Sequence, residues 1–188
     1  GSGEERILGN TAANRIEAGA GTDNVDGGRG RGAILGGAGS DTLLGGNDDD
    51  SILGGADADW LSGGNGNDKL YGEDGNDTIF GENGNDLIMG GAGADLIDGG
   101  VGADRIWAGD GDDTVTGAAG AKIVYGEAGN DVLTGTVSAD RLFGGDDNDT
   151  LDGGRGADIL DGGEGYDVII GGDGNDRITA GGGYDTVT

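Results

Sequence analysis

From Gly63 to Met89 the chain reads as three lines of nine residues, GGNGNDKLY, GEDGNDTIF and GENGNDLIM. Counted in nines from Ala18, nineteen complete lines reach Thr188 without insertion or deletion, and Gly9 to Glu17 fits as a degenerate line before them. A period this strict is the mark of a solenoid. The eighth position of each line, from Ile16, Val25 and Ile34 to Ile169, Ile178 and Val187, is Ile, Leu or Val. One aliphatic residue in nine cannot build an ordinary globular core. Stacked coils, however, would align these residues into an apolar ladder in which each is covered by its neighbours. The expectation is a single repeat array over residues 1–188, with 1–17 as degenerate N-terminal turns and 18–188 as nineteen nonapeptides.

Composition alone argues the other way. With 50 glycines in 188 residues, 4% aromatics and a formal charge of −27, too little apolar burial opposes chain entropy and self-repulsion. Folding therefore needs something that cancels charge. There is no cysteine to form a disulfide framework, and no histidine, which disfavours transition-metal sites. Oxygen donors and negative charge together favour a hard divalent cation, calcium first. The same charge argues against nucleic acid, and no apolar run is long enough to span or enter a membrane.

Within a line, positions seven to nine read as a short strand with residue eight pointing inward. Positions one to six form a turn in which glycine supplies left-handed backbone angles. Where glycine is missing from position four, Asp48, Asp57 and Asp147 tolerate that geometry, whereas Ala12 and Ser138 do so less well.

The pattern GGxGxDxUx, with U a large aliphatic, resembles the calcium-binding nonapeptide of the RTX (repeats-in-toxin) proteins secreted by bacteria, and it covers essentially the whole chain. The resemblance implies an all-β fold, a right-handed parallel β-roll with 18 residues per coil and calcium between turns eighteen residues apart. It also implies that one turn gives the carbonyls of positions one and three with its Asp, and the next turn those of positions two and four with its Asp. One site would then use Gly63, Asn65 and Asp68 with Glu82, Gly84 and Asp86. Such proteins leave the bacterium by type I secretion and fold outside, where calcium is plentiful.

Alternate turns sort the sixth positions into two columns. One runs Asp23, Asp41, Asp59, Asp77, Asp95, Asp113, Asp131, Asp149, Asp167 and Asp185. The other runs Asn14, Gly32, Asp50, Asp68, Asp86, Asp104, Lys122, Asp140, Asp158 and Asp176. Neighbouring Asp pairs number nine in the first and five in the second, which predicts about 14 two-carboxylate calcium sites. Fourteen divalent ions would bring +28 against −27. Two readings of Lys122 are open: its ammonium lies where calcium would otherwise bind, or it is a surface lysine over an unused turn. Gly32 and Asn14 weaken the start of the same column.

On the outward faces, position seven carries a longer period of thirty-six residues that returns Thr42, Thr78, Thr114, Thr150 and Thr186. Threonine rows occur on ice-binding solenoids, but Trp60, Leu96, Val132 and Val168 interrupt this one. Position nine places Leu35, Leu53, Tyr71, Met89, Trp107, Tyr125 and Phe143 on successive coils. This row reads either as a docking face for a second copy or a partner, or as side chains that simply stiffen the strands. No nucleophile, histidine base or converging acid pair points to an enzyme. The expected function is a calcium-binding module, with an adhesive, surface-layer or self-assembling segment as the alternative. Thr188 closes a repeat with no polar cap after it, as expected of an array cut from a longer chain.

Overall fold

A computed structural model describes residues 1–188. The chain winds as a parallel β-solenoid without α-helix, and its main strands alternate between two facing sheets, with one further two-stranded pair, Arg155–Gly156 beside Asp173–Gly174. One sheet has eleven strands, beginning with Arg6–Asn10 and Asn24–Gly28, and the other has ten, beginning with Arg15–Ala20 and Ala33–Ala38. Every pairing is parallel with a register of eighteen, so Ile88 stands between Leu70 and Ile106. Two nonapeptides thus make one coil, as the family resemblance implied.

The aliphatic ladder is the whole core. Position-eight residues from Ile16 to Ile169 are buried, most of them completely, and Ala18 and Ala108 complete the cluster. The ladder frays at the two ends, where the terminal coils lack a neighbour, and Ile7 in the first coil is only partly buried. In the last coil Ile178 is half-buried and Val187 is 48% exposed. Each interior side chain is covered by the coil before and the coil after it, and that covering is lost at an end.

Strands run further than the three positions expected. Lys69–Asp74 and Thr78–Asn83, among others, are six residues long and so run on into the first half of the turn. Parallel coils set every turn residue beside its equivalent, so main-chain groups of the turn also pair from coil to coil. In the turn, positions two and four adopt left-handed angles. Asp48, Asp57 and Asp147 do so at position four, with φ of 70°, 74° and 75°. Glu73, Glu82 and Glu127 do so at position two, with φ of 78°, 69° and 80°, an unfavourable geometry for a side chain with a β-carbon. Ala12, Ser138 and Thr136 do not adopt it, so the turn Gly135–Asp140 takes a different path.

Candidate metal centre

The sixth-position aspartates line the two edges where the sheets meet, and they are buried from Asp23 to Asp167 in one column and from Asp50 to Asp158 in the other. Each carboxylate faces two ways. Its Oδ1 accepts the main-chain N–H of the sixth residue one coil back, as Asp86 does from Asp68 at 2.8 Å and Asp104 from Asp86 at 2.9 Å. Its Oδ2 turns toward the next coil. In thirteen aspartates this second oxygen is buried with no hydrogen-bond partner: nine in the unbroken column, and Asp50, Asp68, Asp86 and Asp158 in the other. A buried anionic oxygen with nothing to bond is costly, and so many in one register form a donor set awaiting a cation.

Main-chain carbonyls complete that set. Between the turns Gly81–Asp86 and Gly99–Asp104, the Glu82 carbonyl points forward, where it accepts Val101 N–H at 2.6 Å, and the Gly84 carbonyl presses on Gly102. From the following turn the Val101 carbonyl points back and accepts Gly84 N–H at 3.0 Å. A β-carbon on Gly81 would stand 2.6 Å from Asp86 Oδ2 and 2.7 Å from the Gly99 carbonyl oxygen. Gly81 is therefore glycine to leave room in the gap, whereas Gly84, at φ 143°, also needs the left-handed region. No three acidic side chains converge anywhere, so the donors are carboxylates supplemented by carbonyls, an all-oxygen set of the kind calcium takes.

The sense of the carbonyls corrects the grouping expected above. Glu82, Gly84 and Asp86 face forward to the coil of Asp104, while the Gly63 carbonyl lies 2.6 Å from where a β-carbon on Gly45 would stand and so faces back. Asn65 occupies the same turn position as Asn83, whose carbonyl also points back, to Gly66 N–H. All four residues line gaps between turns, but Gly63 and Asn65 belong with Asp50, and Glu82 and Gly84 with Asp86. Positions two and four of the leading turn meet positions one and three of the following turn. Periodicity alone carries no information on which way a carbonyl points.

Two aspartates of the broken column stand apart. Asp104 Oδ2 is bonded by Lys122 Nζ at 2.6 Å, and Asp140 Oδ2 accepts from Thr136 N–H at 2.6 Å and Thr136 Oγ1 at 3.0 Å. The pair Asp140–Asp158, one of the fourteen expected sites, thus has its leading carboxylate already satisfied. Lys122 is 1% exposed, which removes the surface-lysine reading.

Burial pushes the carboxyls of Asp59, Asp86, Asp95, Asp131 and Asp149 up to about 7, and those of Asp68 and Asp113 up to about 6. Desolvation is the leading cause. The main-chain N–H on Oδ1 opposes it, and neighbouring carboxylates add to it. Without a cation the ionised column is out of place in the fold.

The RTX calcium-binding nonapeptide repeat (four copies) matches residues 1–34, 32–61, 53–88, 62–97, 89–121, 125–160 and 152–187. The chain belongs to the RTX nonapeptide-repeat family. No curated protein gives a significant match. The RTX turns of this chain have one support that the repeat motif did not disclose. Position five carries side-chain acceptors that bridge coils: Asp49 accepts from Asn67 N–H, Asn67 from Asn85 N–H and Asn85 from Ala103 N–H, at 2.8 to 2.9 Å. The ladder stops at Ala103, which has no acceptor to offer. Recurrent Asn at that position was the available signal.

The row of Leu35, Leu53, Tyr71, Met89, Trp107, Tyr125 and Phe143 is continuous across the ten-stranded sheet. Its aromatic end covers itself, with Trp107 stacked on Tyr125 at 5.4 Å and Tyr125 on Phe143 at 4.9 Å. Met89, 38% exposed, is the member left most open.

Proposed function

We propose that this RTX roll is a calcium-responsive folding module of a type I-secreted bacterial protein, unfolded where calcium is scarce and coiled outside the cell. The observation that carries this reading is the set of thirteen buried, unpartnered Oδ2 atoms that recur in register along the two columns. Asp23 to Asp167 in one column, and Asp50, Asp68, Asp86 and Asp158 in the other, would hold the ions through Oδ2. Asp185, Asp104 and Asp176 would close the last gaps of their runs from the following side. When bound, calcium neutralises the carboxylates and ties two coils together; thirteen divalent ions would bring +26 against −27. Metal-binding free energy then appears as folding free energy. Extracellular modules of this kind need affinities of only roughly 10⁻⁴ to 10⁻³ M. We assign no catalysis to it, since its acids are taken up by the repeat.

Circular dichroism during a calcium titration, followed by a count of bound ions, tests the proposal. A strand-rich spectrum that persists in excess chelator at about pH 8, where the aspartates are ionised, would defeat it. Met89 and its neighbours favour a second reading, in which the apolar row pairs with a second copy and makes the segment self-assembling. Light scattering with and without calcium separates the two, because the second requires calcium-dependent oligomers.

A further inference from the structure

We propose that Lys122 is an internal cation that replaces calcium in one gap of the roll, and that Thr136 closes the next two, so that three successive coil junctions are held without metal. This rests on the calcium reading of the other gaps.

Lys122 Nζ stands 2.8 Å from the Gly100 carbonyl, 2.8 Å from the Gly102 carbonyl, 2.6 Å from Asp104 Oδ2 and 3.0 Å from the Ala119 carbonyl. These are positions two, four and six of the leading turn and position three of the following turn. They are the same positions whose oxygens face the gap between Asp86 and Asp104, where a calcium ion would bind. An ammonium has three donors, and here they are shared among four oxygens in a site with no water exposure to speak of. The side chain reaches there by folding back over its own turn, and Gly117 permits it: a β-carbon at Gly117 would stand 2.5 Å from Lys122 Cε.

Lysine brings no carboxylate to the next gap, between Lys122 and Asp140. Thr136 sits there, 7% exposed, with its hydroxyl 3.2 Å from the Gly120 carbonyl and 3.0 Å from Asp140 Oδ2. The hydroxyl and N–H of Thr136 together satisfy the Asp140 oxygen that elsewhere is left for calcium. This is possible because position two is Thr and position four is Ser138, so the turn abandons the left-handed path that glycine would follow. The broken column therefore consists of two calcium runs, Asp50 to Asp104 and Asp158 to Asp176, separated by a metal-free seam. The other column remains uninterrupted beside it.

The test uses the full chain and calcium alone. Bound calcium is counted by equilibrium dialysis at saturation for the wild type and Lys122→Asp, with the coiled fold checked by circular dichroism. The expected result is one additional ion in Lys122→Asp, in the gap beside Asp104, while the two gaps closed by Thr136 stay metal-free; an unchanged count in a folded variant, or a gain of two or more ions, overturns the proposal. Should Lys122→Asp fail to coil, amide hydrogen exchange of the wild type at half-saturating calcium decides. Gly102 and Ile123, which bond across the Lys122 junction, should then exchange more slowly than Gly66 and Leu87, their equivalents across the Asp68–Asp86 junction. Equal or faster exchange overturns it. Failure of the underlying calcium reading would look different, as a wild type that binds no calcium.

Discussion

Lys122 Nζ and Asp104 Oδ2 lie 2.6 Å apart, and each residue is only 1% exposed, so this ion pair is sealed between two coils of the roll. Surface ion pairs contribute little, but removing one partner of a buried pair leaves a charge with neither water nor counter-ion. Lys122→Met strands the Asp104 carboxylate together with the carbonyls of Gly100, Gly102 and Ala119. In saturating calcium it is expected to lower stability by about 3 kcal/mol, read from denaturant unfolding. A loss within about 0.5 kcal/mol, the range of ordinary surface substitutions, would show that the junction does not depend on the ammonium.

Gly81 offers a way to damage a single gap without straining the backbone. Its φ lies outside the left-handed region, yet an added β-carbon would stand 2.6 Å from Asp86 Oδ2 and 2.7 Å from the Gly99 carbonyl oxygen. Gly81→Ala is expected to bind one calcium fewer than the wild type and to lose about 1–3 kcal/mol. Ion counting on the folded variant checks the first part, and an unaltered count would place the cation elsewhere.

Glu73 carries the opposite defect. At φ 78° it occupies a left-handed position that glycine holds in most other lines. Glu73→Gly removes a steric cost of about 1 kcal/mol, part of which is returned as extra freedom of the unfolded chain. The variant should therefore unfold at slightly higher denaturant concentration in calcium, with the ion count unchanged.

Acid should act on the chelated protein in the direction opposite to its usual effect. Burial raises the carboxyls of Asp59, Asp86, Asp95, Asp131 and Asp149 to about 7 and those of Asp68 and Asp113 to about 6, from 3.8. Groups raised in this way favour the coiled state fully below the unfolded value, and that contribution is lost as pH rises through the folded value. In excess chelator, strand content should increase as pH falls from 8 toward about 4. Circular dichroism at constant ionic strength measures it, and a flat response would mean the aspartates are not buried in the metal-free chain. With calcium present the trend should reverse, because protons then compete for the ligands.

The repeat was legible because its signal is multiplied along the chain. Position eight is aliphatic in line after line, and the observed ladder from Ile16 to Ile169 follows it residue for residue. The paired columns of aspartates were equally visible, since a side chain that recurs every eighteen residues in a coil of eighteen has one place to go. The coil of eighteen came from the family resemblance, and the observed register agrees with it.

What the sequence determined by itself was periodic: the solenoid, the single-file core and the recurring aspartates, while the coil of two repeats came with the family resemblance. Only the tertiary structure decided the directions within each turn. It set Glu82 and Gly84 facing one coil and Gly63 facing the other, and it turned Lys122 inward onto Asp104 and Thr136 onto Asp140. The reason is physical. A repeat pattern specifies which residues share a position, but the orientation of a peptide plane, or of one long side chain, is settled by the neighbouring coil it must bond.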